Sequence, residues 1–181
     1  MRVPRLWNPR GLLSVVALFS AFAALSFAIF KWHQPKPRDM RTNYSCIENG
    51  LYLGGILEQP PPGIRAVLNV SEEDDSSKPE VYRWDPISDV DKGPTLEWLK
   101  RQVQFIDEQR RAGRPVFVHC YAGVSRSTFV MAAYLMWRDG RGRDEVLQTI
   151  RSKRSRAGPN PALLSLLSDW EQSLHNSARA N

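Results

Sequence analysis

The distribution of apolar residues divides the chain in two. From Gly11 to Phe30 the run GLLSVVALFSAFAALSFAIF carries no charged residue, with Arg10 before it and Lys31 after it. At about 1.5 Å rise per residue a helix of this length spans about 30 Å, the thickness of a bilayer's hydrocarbon layer. Trp7 and Trp32 fall where interfacial aromatics belong. The pattern predicts one membrane-spanning helix or uncleaved signal anchor over 11–30, after a basic tail at 1–10. Two alternatives remain open: a cleaved secretory signal, with Ala21-Phe22-Ala23 or Ser26-Phe27-Ala28 as the small-residue site, and an organelle presequence with an inner-membrane anchor. Residues 31–42, with Pro35, Pro37 and several cations, read as an extended basic linker.

Beyond the linker the apolar residues come in short runs. Leu51-Tyr52-Leu53, Ala66-Val67-Leu68-Asn69-Val70 and Val116-Phe117-Val118-His119 are bounded by Gly, Pro or acidic clusters and predict strands. Thr95 caps a predicted helix in which Leu96, Leu99, Val103 and Ile106 share a face, ending near Gly113. Phe129 to Trp137 is apolar all round and predicts a buried helix that stops at Gly140. Further helices are predicted around Asp144 to Arg154 and from Pro161 to about Leu174. Strands alternating with helices imply a single α/β layered domain over 43–176, with a central, mostly parallel sheet flanked by helices and a short tail at 177–181.

Charge changes the picture only by its location. Of the 25 Lys and Arg, seven lie in residues 1–42 against Asp39 alone, which accounts for the whole net charge of +6. The prospective domain is formally neutral and lacks the basic excess that nucleic-acid binding uses, so no nucleic-acid partner is expected. Two cysteines cannot build a disulfide framework. Cys46 has no spacing that marks it as a resolving thiol and is read as structural; His33 and His175 stand apart from other ligand types, so no metal or other cofactor is expected.

The chemistry lies in Val116-Phe117-Val118-His119-Cys120-Tyr121-Ala122-Gly123-Val124-Ser125-Arg126-Ser127, a strand running through a cysteine turn into a helix. Backbone N–H groups of Tyr121, Ala122, Gly123, Val124, Ser125 and Arg126 can curl around an anion, with the helix dipole behind them. Gly123 permits positive φ or close backbone approach, and Arg126 can fork two donors onto phosphate oxygens. The same field favours the Cys120 thiolate, which can attack phosphorus, and Ser127 can hydrogen-bond the sulfur as it leaves. The bland alternative for Cys120 is an inert buried thiol.

This segment resembles the signature His-Cys-x-x-Gly-x-Ser-Arg-Ser of the dual-specificity, cysteine-based protein phosphatases. The likeness extends from Cys46 to Leu174: Asn49-Gly50-Leu51-Tyr52-Leu53-Gly54 is similar to the family's opening strand, Val67-Leu68-Asn69-Val70 to its second, and Pro159-Asn160 to the loop before its last helix. What the resemblance implies is a phosphocysteine intermediate and a catalytic Asp on an upstream loop. Asp89 is the first choice, in Pro86-Ile87-Ser88-Asp89, because the family places its acid shortly after a strand ending in Pro-Ile; Asp91 is the reserve, and Asp85 is expected to cap or salt-bridge. His119 is expected to bond within the turn and tune Cys120, and Asn69 to brace the turn.

The expected activity is a membrane-anchored phosphatase acting on phosphotyrosine and phosphoserine/phosphothreonine. Tyr121 and Val124 leave the turn uncharged apart from Arg126, as in ordinary members. A phospholipid substrate is the alternative, because Asp89 to Leu96 followed by Val103-Gln104-Phe105 is similar to the mitochondrial phosphatidylglycerophosphate phosphatase branch, although that branch has lysine where Tyr121 stands. Arg138, Arg141, Arg143, Arg151, Lys153, Arg154 and Arg156 offer a candidate surface for a second anion. A silent phospho-binding adaptor is the alternative from another class. The thiolate requires a reducing compartment, the cytosol first, with the mitochondrial inner membrane as the alternative. Two sequons, Asn43-Tyr44-Ser45 and Asn69-Val70-Ser71, would be open to glycosylation if the domain were luminal.

Overall fold

The computed structural model describes residues 42–89 and 93–179. The tail 1–10, the apolar run 11–30, the linker as far as residue 41 and the reserve acid Asp91 lie outside the described residues. Among the described residues no helix is long and apolar enough to cross a membrane.

Five strands, β1 (Tyr44–Glu48), β2 (Leu51–Gly55), β3 (Ala66–Asn69), β4 (Val81–Trp84) and β5 (Val116–Cys120), form one sheet in the order β1-β2-β5-β3-β4. Only β1 and β2 pair antiparallel, through the Asn49–Gly50 turn in which Gly50 sits at φ 73°; the other pairings are parallel. The strands expected from apolar runs are β2, β3 and β5, and β5 at the centre is buried along its whole length. A strand covered on both faces needs apolar residues throughout, which makes it visible in sequence. β1 and β4 are the two edges. Their residues are mostly half-exposed, so neither shows an apolar run. The domain therefore opens one strand earlier than Leu51, and Pro86-Ile87 follows the end of β4 instead of ending a strand.

Four helices complete the domain: α1 (Leu96–Arg111), α2 (Arg126–Asp139), α3 (Arg143–Lys153) and α4 (Pro161–Arg179). The Thr95 hydroxyl accepts from Trp98 N at 3.2 Å, capping α1. α2 is buried from Arg126 through Met136 and ends at Gly140, which takes φ 66°. α4 runs past Leu174 to Arg179, because His175-Asn176-Ser177 contains no Gly or Pro to stop it and Ser177 Oγ bonds back to Ser173 O at 2.9 Å.

The main core joins helix residues such as Leu99, Ile106, Phe129, Met131, Ile150 and Leu167 to Leu51, Leu53, Leu68, Val116, Val118 and Cys120 of the sheet. The alternate residues Val67 and Phe117 pack with Leu57, Tyr52 and Tyr82 in a smaller cluster. The two-residue period of a strand thus puts Cys120 and His119 on opposite faces of β5.

Candidate active site

Cys120 ends the buried central strand, and its side chain is nearly inaccessible. The next residues turn tightly: Gly123 takes φ 67°, and a Cβ there would come within 2.4 Å of Gly54 and Gly55 backbone atoms. Here glycine is required both by conformation and by space.

Each carbonyl of the turn is held from outside. Ile56 N donates to Tyr121 O at 3.1 Å, Arg156 Nη2 to Ala122 O, Arg154 Nε to Gly123 O at 2.7 Å, and Gly158 N to Val124 O at 2.9 Å. Because a trans peptide is planar with N–H and C=O antiparallel, fixing these oxygens outward turns the N–H groups of Ala122, Gly123, Val124 and Ser125 to the inner side of the turn. The N-terminus of α2 adds its dipole. The result is an oxyanion cradle above a sulfur.

Ser127 Oγ lies 3.2 Å from Cys120 Sγ and 3.2 Å from Gly54 O. With a thiolate, which only accepts, the hydroxyl donates to sulfur. Arg126 is buried at the mouth. Its Nη1 donates to Ile87 O at 2.9 Å and to Glu72 Oε2 at 3.3 Å, while its buried Nε has no hydrogen-bond partner among the described residues. An unmet guanidinium N–H costs free energy that an incoming oxyanion would recover.

Asp89 stands beside this group, with Oδ2 3.9 Å from Arg126 Nε. Its Oδ1 accepts from Ser125 Oγ at 2.7 Å and from Asn160 Nδ2 at 3.1 Å, and Asn160 Nδ2 also donates to Asp89 O at 2.8 Å. One carboxyl oxygen is thus anchored and the other faces the arginine. Asp85 neither caps nor forms a salt bridge among the described residues; it accepts from Trp98 Nε1 at 2.8 Å and Gln102 Nε2 at 2.7 Å, on the α1 side.

Two expectations fail for side-chain direction. His119 does not bond within the turn, because it projects from the opposite face of β5 to Cys120; its Nε2 meets Asp75 Oδ2 at 2.8 Å and its ring stacks on Phe117. Asn69 braces a different loop: its Oδ1 accepts from Ser71 N at 2.8 Å and its Nδ2 donates to Glu73 O at 2.7 Å. The loop so held carries Glu72. Neither sequon offers an open asparagine, since Asn43 is 8% and Asn69 0% exposed and both amides are hydrogen-bonded. Cys46 is an exposed free thiol on β1.

The basic residues of the last third also separate. Arg138, Arg141 and Arg143 pair with Glu48 and Asp139, Glu145, and Asp144 respectively. Arg154 and Arg156 turn to the phosphate loop. Together with Asn43, Glu72 and Asn160 they are the site neighbours that residue spacing did not reveal. Pro159-Asn160 had left a signal in the resemblance, Arg154 and Arg156 only as members of a basic group read as a surface for a second anion, and Asn43 only as part of a sequon.

Comparison with known proteins gives consistent findings. The model of the dual specificity phosphatase catalytic domain matches residues 58–173. Dual specificity protein phosphatase 1 of Arabidopsis thaliana is 36% identical over 138 residues, covering 72% of this chain and 70% of that protein. A mouse putative dual specificity phosphatase, solved in complex with zinc tungstate, is similar with a TM-score of 0.70 and 26% identity, over 80% of this chain and 96% of that one. PTPMT1, solved in complex with PI(5)P, is similar with a TM-score of 0.66 and 25% identity, over 77% of this chain and 99% of that one.

Proposed function

We propose a mechanism and a substrate class from one premise: this chain belongs to the dual specificity phosphatase family. The observation that carries the mechanism is the turn whose carbonyls are all held outward around Cys120, with an unmet Arg126 donor at its mouth. The phosphoryl oxygens take the inward N–H groups and the Arg126 fork. Cys120 Sγ, as thiolate, forms a bond to phosphorus while the ester P–O bond breaks, and its electron pair leaves on the alkoxide or phenoxide oxygen. Asp89 protonates that oxygen. In the second step Asp89 carboxylate takes a proton from water as the water oxygen attacks phosphorus; the S–P bond breaks and Ser127 stabilises the returning thiolate. Inorganic phosphate and the alcohol are the products. The mouse relative was solved with zinc tungstate, and tungstate is an oxyanion like phosphate, which favours an oxyanion as the ligand of this family's domain.

For substrate we propose phosphorylated proteins. An uncharged, half-exposed Tyr121 at the mouth suits a peptide side chain, and the apolar run 11–30 tethers the enzyme at a membrane, with its domain in a reducing compartment. A phospholipid is the second reading, favoured by the likeness to PTPMT1 with its bound PI(5)P. Replacing Cys120 with Ser abolishes turnover of an aryl phosphate while anion binding persists; retained turnover overturns the mechanism. Hydrolysis of phosphopeptides compared with phosphatidylglycerophosphate and phosphoinositides decides the substrate, and a strong lipid preference reverses the ranking.

A further inference from the structure

Arg154 is an unusual residue to find in a core. It is 7% exposed, yet its acceptors are all neutral: Gly123 O at 2.7 Å, Asn43 Oδ1 at 2.7 Å and Ser45 Oγ at 3.4 Å. Arg156 reaches the same Asn43 Oδ1, at 2.9 Å, and also Ala122 O. Two guanidinium groups therefore converge on one amide oxygen and on consecutive carbonyls of the phosphate turn, and neither is paired with a carboxylate among the described residues. Burial pulls the Arg154 guanidinium down to about 10, Arg156 beside it acts in the same direction, and Cys120 opposes both. It remains a cation at neutral pH. A buried cation held only by neutral dipoles is costly unless an anion stands nearby.

The space for this arrangement is specific. A Cβ on Gly55 would lie 2.3 Å from Asn43 Nδ2, and one on Gly123 would lie 2.5 Å from Arg154 Nη2. Glycines at the end of β2 and in the turn thus admit the asparagine and the arginine to the back of the cradle.

We propose that Asn43, Arg154 and Arg156 are positioning residues that clamp the phosphate turn from behind and supply the positive charge that favours the Cys120 thiolate and the bound phosphoryl group. This rests on the reading of Cys120 as the nucleophile. Asn43 is the hub, because its single oxygen aligns both guanidinium groups while adding no negative charge. Among the described residues, the other charged or titratable groups at the sulfur's end of the sheet include Arg126 on α2, Asp89 before α1, Glu72 after β3, and His119 with Asp75 on the far face of β5. Of these, Arg126 is already engaged by the carboxylates of Glu72 and Asp89, so the unpaired positive charge comes from the clamp.

Asn43→Asp in the full chain keeps the size and acceptor of the hub but places a carboxylate between the guanidinium groups. The readout is iodoacetamide alkylation of Cys120, resolved from Cys46 by peptide mapping, as the ratio of the rate at pH 6 to that at pH 9. The proposal expects this ratio to fall about three- to ten-fold, and inorganic phosphate to inhibit about three- to ten-fold more weakly, on the rule that one pH unit of ionisation is tenfold. Arg156→Met, at an exposed position that keeps the fold, shifts both in the same direction by about two- to three-fold. Unchanged ratios and inhibition in both variants, with thermal unfolding intact, overturn the clamp. If the parent protein itself shows no phosphate protection of Cys120, the nucleophile reading has failed and the clamp fails with it.

Discussion

The two flanks of the phosphate turn are built on opposite principles. On one side Arg154 and Arg156, aligned by Asn43, hold backbone carbonyls and meet no carboxylate among the described residues. On the other, Glu72 and Asp89 place carboxylates against Arg126, and behind them His119 meets Asp75. The cationic flank touches the backbone carbonyls of the cradle, whose shape and potential the clamp is proposed to set. The acidic flank touches the side chain proposed to grip a dianion, and it includes the proposed proton donor, Asp89. A cradle that is rigid behind and exchangeable in front can bind phosphate without first reorganising its N–H donors.

Removing the acid should separate the flanks most sharply. Asp89→Asn keeps the hydrogen bonds from Ser125 and Asn160 within reach but cannot protonate a leaving group, so turnover of an alkyl phosphate falls about 10²- to 10⁴-fold. An aryl phosphate with a good leaving group loses far less; equal loss for both, measured as kcat, moves the acid role elsewhere. Glu72→Gln should act in the opposite direction. Its carboxylate is largely exposed and 3.3 Å from Arg126 Nη1, where an ion pair contributes up to about 1 kcal/mol, so inorganic phosphate should inhibit about two- to five-fold more tightly. Weaker inhibition would make Glu72 an organiser of Arg126 instead of its competitor.

How much of this was legible in the sequence follows the same division. Cys120, Gly123, Arg126 and Ser127 lie within one short segment, where local geometry decides contacts and spacing can be read. Asp89 came from a resemblance, and its anchoring by Ser125 and Asn160 joins three loops that no periodicity connects. Asn43 bonds Arg154 across the length of the domain, and appeared in the sequence only as part of a sequon that the fold in fact buries. His119 and Asn69 were legible as neighbours of the turn but not in direction, since which face a strand residue takes depends on register. The buried strands and helices were visible because burial imposes a period; the edge strands β1 and β4, half in water, impose none.

The smallest effect concerns what holds the acidic flank in place. Tyr82 Oη donates to Asp74 Oδ1 at 2.6 Å and accepts from Asn69 Nδ2 at 3.2 Å and Asp75 N at 3.1 Å, tying β4 to the loop that carries Glu72. Burial, and next the Asp74 carboxylate, push the phenol up to about 12 from an ordinary value of 10.0. A group protonated more firmly when folded contributes stability that is fully present below about pH 10 and is lost as pH rises through about 12. Tyr82→Phe should therefore cost about 1 kcal/mol in urea unfolding at pH 8. The gap between the two proteins should close between pH 10 and 12, because the lysines and arginines that titrate there are common to both. No gap at pH 8 would instead assign the contribution of Tyr82 to the packing of its ring with the cluster of Val67 and Phe117, which phenylalanine keeps.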